Sequence, residues 1–347
     1  MKKYFILFGL LIIFVNTKLL STLGGGLGTS VSPYQILNEH HLKELSDSVY
    51  IDAFRSPNDC WHCDKYFELI QEIDNMTDYI SWFYGHFYGN SNKITINGEI
   101  GVFGTLDNGG IIEGLIADGY SNYAGIVVSL VRWSIVPKPI PIVSNCTSNV
   151  NITVPLGTDP WGRPQAVPGG GITATNGGTV LNCVNNGSVI GVNIIGGIVG
   201  ENLRQVTNCV NNGRITATNS GSNTNILGQP TVANGVGGII GTGYANSNNI
   251  NLGTVEGQGM VGGIIGVTNG PPGGPTTPIT NNFNYGFVKG TNRVGGVVGW
   301  VATGGVNISN NSNFGVVVGE EDTGCIVGKN SGGNISNNHY DKQMCGE

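Results

Sequence analysis

The sequence carries little charge. Lys, Arg, Asp and Glu make up 11% of its 347 residues, against about 25% in an average soluble domain. The balance is slightly acidic, with a net charge of −6 and a pI near 5.3. Nucleic acid and anionic membrane surfaces call for clustered Lys and Arg, so neither is an expected partner. Between Gln165 and Gly319 there is no histidine, and the only acids are Glu201 and Glu256. Glycoside hydrolysis needs two carboxylates facing each other across a substrate. Metal-assisted elimination needs a carboxylate cluster around a cation. That stretch provides neither, so no catalytic site and no cofactor are expected. Long apolar runs are missing as well. The one at the start, Tyr4–Val15 behind Lys2 and Lys3, is shorter than the about 20 residues a spanning helix needs. It suits a secretory signal over residues 1–20, with an uncleaved anchor as the alternative. Ala124–Trp133 is short and holds Arg132, so no membrane span is expected in the mature chain.

Glycine is present in excess, with 58 residues, more than twice ordinary usage. It recurs in one repeated unit. An asparagine box reads Asn182-Cys-Val-Asn185-Asn-Gly187, then Asn208-Cys-Val-Asn211-Asn-Gly213, Asn248-Asn-Ile-Asn251-Leu-Gly253, Asn281-Asn-Phe-Asn284-Tyr-Gly286 and Asn310-Asn-Ser-Asn313-Phe-Gly315. A glycine box follows: Gly196-Gly-Ile-Val-Gly200, Gly237-Gly-Ile-Ile-Gly241, Gly262-Gly-Ile-Ile-Gly266, Gly295-Gly-Val-Val-Gly299 and Gly324-Cys-Ile-Val-Gly328. The step between boxes is nine residues in four of the five units. Units this short cannot bury a core alone and must stack. The fold expected is all-β, a right-handed parallel β-helix (β-solenoid) with a small helix-containing cap at its N-terminus.

Stacking turns aligned residues into columns. Asn182, Asn208, Asn248, Asn281 and Asn310 form one, and Asn185, Asn211, Asn251, Asn284 and Asn313 form another. Stacked carboxamides can hydrogen-bond along a ladder; alternatively each Asn serves its own turn. A ladder is expected in at least one column. Val189, Ile215, Val255, Val288 and Val317 should form a core column, since β-branched residues suit stacked strands. The glycines are read as positive-φ corners. Cys183 and Cys209, with Cys146 beside them, share a column. Their in-register Cβ vectors favour buried thiols over a disulfide. Three pairs of residues should meet on consecutive coils: Glu256 with Lys289, Arg293 with Asp322, and Trp300 with Lys329.

Ahead of the repeats, Leu23–Ser32 reads as linker, Tyr34-Gln-Ile-Leu as a strand, and Leu42, Leu45 and Val49 as one helix face. Short apolar runs from Tyr66 onward read as strands. Residues 134–171 are proline-rich and irregular, read as coils with long corner loops, and regular coils should begin near Ile172. Cys60-Trp-His-Cys63 is a possible disulfide; a metal site would need further ligands from His40, His41, His62 or His86, and none is assigned. Asn-x-Ser/Thr sites occur at Asn75, Asn145, Asn151, Asn186, Asn307, Asn310 and Asn334, and matter only where secreted proteins are glycosylated.

The run Trp82-Phe-Tyr-Gly-His-Phe-Tyr-Gly-Asn-Ser-Asn-Lys-Ile94, followed by Gly101-Val-Phe-Gly104 and Gly109-Gly-Ile-Ile112, resembles the opening of GLUG-repeat β-solenoids. The later glycine boxes resemble the repeats of that family, and Tyr340-Asp341-Lys342 resembles its closing phrase. Val102 and Cys325 depart from the pattern, and residues 134–171 match it poorly. The resemblance implies an exported surface protein, often adhesive or joined to a larger surface enzyme, with no shared catalytic residues. The boundaries expected are 1–20 signal, 21–32 linker, 33–90 cap and 91–347 repeats. The function expected is that of a secreted or cell-surface solenoid with a structural or adhesive role. Its partner would be an unidentified surface ligand, a glycan or a host or cell-surface protein. A carbohydrate-binding or polysaccharide-processing module is the alternative, sited at loops 219–235 and 267–279 beside an aromatic such as Trp300. Both solenoid ends expose strand edges, and the C-terminal one looks poorly protected.

Overall fold

The structure is a computed structural model that describes residues 23–52, 63–107, 109–131, 139–158, 164–165, 167–218, 235–244, 246–270 and 277–345. Its coils are runs of short strands joined by corners. One coil comprises Thr277–Thr280, Phe283–Asn284, Val288–Lys289, Asn292–Gly295 and Val298–Val301, and the next begins at Val306–Ser309. Each strand pairs with its equivalent one coil away. The result is parallel sheets of 11, 9, 16 and 6 strands. The largest takes two strand positions per coil, which fuse at Ile116–Ser121. This is a parallel β-solenoid.

The first coils are built from the segment expected to be only a cap. Tyr34–Ile36, Tyr66–Leu69 and His86–Tyr88 head the 11-stranded sheet, and Ile80–Phe83 heads the 9-stranded one. The helix Glu39–Asp52 packs on Ile80–Phe83. Leu42 and Leu45 are buried as expected, while the Val49 side chain lies outside the described residues. Residues 134–171 are also less irregular than their composition suggests. Ile142–Ser144, Thr147–Ser148 and Asn151–Thr153 stay in register with Thr179–Leu181, Val184–Asn185 and Val189–Gly191. The coils expected here are present, and they are in regular register before Ile172. The excursion from them holds an antiparallel pair, Gly157–Thr158 with Pro164–Gln165.

The core changes character along the axis. At the N-terminal end Phe67, Phe83, Phe87 and Phe103 are fully buried and touch in tilted and edge-on pairs 5.2–6.3 Å apart. Farther along the core is Ile and Val. Val189, Ile215, Val255, Val288 and Val317 stack in register and are buried, as expected. Each such side chain stabilises by about 1.5–3 kcal/mol through removal from water.

The glycine boxes do not supply the positive-φ corners expected of them. Those corners hold Asn145, Asn182, Asn208, Asn248, Asn281 and Asn310, with φ between 54° and 58°. Asn bears this conformation because its short amide bonds locally. The box glycines serve close packing instead. A Cβ on Gly197 or Gly238 would run into the side chain of Asn211 or Asn251. The two boxes are thus halves of one contact. At Cys325 the pattern can lapse, because the Asn column ends one coil later at the exposed Tyr340.

The C-terminal end is better closed than expected. A 3-10 turn, Lys342–Cys345, folds back and Cys345 forms a disulfide with Cys325. The expected signal, 1–20, and the first two residues of the expected linker, 21–32, lie outside the described residues. The rest of that segment is tied to the first strand, Gly24 N–H donating to the Gln35 carbonyl at 3.0 Å.

Candidate ligand-binding groove

The inner Asn column is a complete ladder. Asn185, Asn211, Asn251, Asn284 and Asn313 are fully buried, and each Nδ2 donates to the next Oδ1 at 2.8 Å. The sequence separations are 26, 40, 33 and 29 residues, so insertions bulge outward without shifting the register. Each Nδ2 also reaches the carbonyl two residues on, at Gly187, Gly213, Gly253, Gly286 and Gly315. The outer column instead serves the corners, as the competing reading held. It is exposed, and only Asn182 and Asn208 donate along it, to Asn145 and Asn182 at 3.1 and 3.2 Å.

Sequence reasoning missed a second buried ladder. Asn249, Asn282, Asn311 and Asn338 follow Cys146, Cys183 and Cys209 in the second position of the asparagine box. Asn249, Asn282 and Asn311 each donate Nδ2 to the next Oδ1 at 2.9–3.1 Å. The backbone N–H of Cys209 joins the row through Asn249 Oδ1 at 2.8 Å. The signal was the change from Asn-Cys to Asn-Asn between boxes. The three cysteines are buried free thiols, as favoured above. Burial pushes Cys146 and Cys209 well above the ordinary thiol range. Cys63 is disulfide-bonded; Cys60 lies outside the described residues. Among the described residues no cluster of His, Cys, Asp and Glu has the makings of a metal site.

The expected register holds. Glu256 faces Lys289 and Trp300 faces Lys329 on neighbouring strands, and the flanking pairs Asn292–Glu321 and Val294–Thr323 align Arg293 with Asp322. The charges find other partners, however: Arg214 pairs with Glu256, Lys329 with Asp322 at 3.0 Å, and Arg293 with the face of Trp300.

The 9-stranded sheet presents one outward column along the solenoid. Trp82, Thr105, Ser129 and Thr175 stack in register. Glu201, Thr242 and Val267 continue the column, and Trp300 and Lys329 end it. Glu201 makes no ion pair, and burial raises its carboxyl above the ordinary range. At the N-terminal end the column floors a groove of about 340 Å³. Tyr79, Trp82 and Tyr123 contribute aromatic surface to it, Val167 and Pro168 line it from the chain excursion, and Ser81 lies at its base. Gly104 is required here: a Cβ would press on the Tyr79 ring and the Ser81 carbonyl. The Trp82 ring stacks on Tyr84 at 14° between planes. Burial, reinforced by Asp107, pushes the Tyr84 phenol up to about 12, so it stays neutral. Ser81 Oγ is buried without a hydrogen-bond partner. Loop segments 219–234 and 271–276, where a ligand site was expected, lie outside the described residues, and Trp300 is partly covered rather than open.

No protein-family model matches the chain, and no curated protein matches it in sequence. Among solved structures it is similar to the crystal structure of a "putative immunoglobulin A1 protease" from Bacteroides ovatus. The TM-score is 0.50 and the identity 16%, over 91% of this chain and 87% of that one. At that identity the likeness shows the fold alone.

Proposed function

We propose that this protein is an exported, non-catalytic surface solenoid of the GLUG-repeat type, with an adhesive or structural role. The carrying observation is the inner Asn ladder, unbroken over five coils despite loop insertions. It fixes a rod whose outward residues fall in straight columns, as a display surface requires. The signal-like segment 1–20 supports export, and the resemblance of the boxes supports the family. The carboxylates favour binding over hydrolysis: Glu201 has no second acid facing it on its column.

The test is surface labelling of cells that make the tagged protein, with and without residues 1–20, combined with an adhesion assay. Labelling that depends on residues 1–20, and adhesion lost with the protein, is the expected result. Tagged protein confined to the cytoplasm would sink the proposal.

A further inference from the structure

The groove on the 9-stranded sheet has a chemistry of its own. Its lining carries aromatic rings and hydroxyls and no charged side chain. Thr105, Ser129 and Thr175 repeat at the inter-strand step of about 4.8 Å, and their hydroxyls make no hydrogen bond to another described residue. Ser81 Oγ is a buried polar atom left without a partner at the base. Buried polar groups are nearly always satisfied, so this orphan is a local cost beneath the groove rather than one of its contacts. Trp82 and Tyr123 line the groove beside this row.

We propose that the groove binds an uncharged oligosaccharide lying along the solenoid axis. The claim rests on the adhesive reading above and names its ligand. A pyranose presents C–H groups on one face and hydroxyls around its rim. Aromatic faces take the first, because their negative π-surface attracts the weakly positive C–H edges. The hydroxyl row takes the second, each able to donate or accept. A charged sugar or an acidic peptide would be desolvated here with no counter-charge, which is costly. A nucleic acid would find no cation. At about 340 Å³ the volume lies at the lower end of ligand sites, room for a short stretch of chain rather than a folded partner.

The experiment is a binding panel on the purified protein. Its probes are immobilised neutral glucan, mannan and galactan fragments, their sulfated and uronic-acid counterparts, and a random peptide library. Saturable binding to a neutral fragment, insensitive to salt, is expected. Thr105→Val with Ser129→Ala should weaken it about tenfold or more, the loss of hydroxyl partners, and Trp82→Phe should weaken it less. Thermal unfolding and circular dichroism of the variants guard against misfolding, and Thr216→Val, on another sheet, should leave binding unchanged. Binding confined to charged glycans or peptides, no binding at all, or neutral-glycan binding untouched by the groove variants would each overturn the proposal. The same variants displayed on cells separate the two readings. Adhesion that survives the loss of the groove keeps the adhesive role and removes the groove. A glycan-binding protein whose cells do not adhere does the reverse.

Discussion

The guanidinium of Arg293 lies over the indole of Trp300, 4.3 Å from its centroid. One coil on, Lys329 reaches Asp322 at 3.0 Å. These pairs occupy the same two places in the coil: a positive-φ corner (55° at Arg293, 48° at Asp322) and an outward strand position seven residues later. Met260 and Val267, both buried, hold these places in the preceding coil. The corner turns its side chain toward the same coil's outward strand, so charge and apolar character match within a coil. Alignment alone suggests that Arg293 meets Asp322 between coils.

A double-mutant cycle on Arg293→Ala and Trp300→Ala should return a coupling of about 0.5–1 kcal/mol, the usual size of a partly exposed cation–aromatic contact. Denaturant unfolding of the four proteins measures it. Coupling between Arg293 and Asp322 larger than that between Arg293 and Trp300 would contradict the within-coil pairing.

The two Asn columns should respond differently to substitution. Asn251→Ala removes the bonds to Asn211 and Asn284 and strands the Gly253 carbonyl, all fully buried. An unsatisfied buried partner costs about 1–3 kcal/mol, so this variant should unfold at clearly lower denaturant. Asn248→Gly, in the exposed column, keeps a residue suited to φ of 58° and should change stability by only a few tenths of a kcal/mol. Equal effects would show that the inner ladder does not hold the coils together.

Much of the repeat region is legible because stacking makes sequence period and spatial neighbour the same thing. The Val189–Val317 column and the inner Asn ladder followed from alignment on one glycine. The second ladder was hidden because its position changes from Cys to Asn partway along, and a thiol and a carboxamide share a place only when the backbone N–H above is known to need an acceptor. The groove was not legible at all. Its residues come from four coils before the regular repeats, and the Tyr79 ring and the Pro168 side chain reach it from connections whose sequence has no period. The role of Gly197 was misread for a related reason: glycine in a motif signals either a positive φ or a close approach, and only the neighbouring Asn211 decides.

The three stacked thiols should be inert in the native protein. All three are buried, and burial holds Cys146 and Cys209 in the unreactive thiol form. At Cys183 burial is outweighed by hydrogen bonds from those two, which lower its pKa, so it is kept from reagent by burial alone. Iodoacetamide at neutral pH followed by mass spectrometry should label none of Cys146, Cys183 and Cys209 until denaturant is added. Labelling of Cys183 in the folded state would place it nearer solvent than the structure does.

Glu201 makes stability fall as pH rises. Burial raises its pKa in the folded chain, so between the unfolded and folded values the native state holds the extra proton. Stability is therefore lost as pH climbs through that window. Glu201→Gln should be more stable than the parent at neutral pH and indistinguishable from it at a pH below the ordinary carboxylate range. Parallel thermal melts at the two pH values test this, and an advantage confined to acid would reverse the sign.

The two ends of the solenoid should tolerate damage unequally. Deleting residues 33–90 removes Ile80–Phe83 and His86–Tyr88, so Phe103–Asp107 and Ile111–Glu113 each lose one of their two strand partners. It also uncovers Phe103, which packs on Phe83 and Phe87. An open edge beside a bare aromatic core is a template for pairing with another chain, so light scattering should detect aggregates. At the other end, Cys345→Ser opens a loop of 20 residues, a loss of about 3 kcal/mol. Coils touch only their neighbours, so hydrogen exchange should quicken over Glu321–Tyr340 and stay unchanged before Ser309. A monomeric, cooperatively unfolding deletion product would show that the coils after residue 90 close their own N-terminal edge.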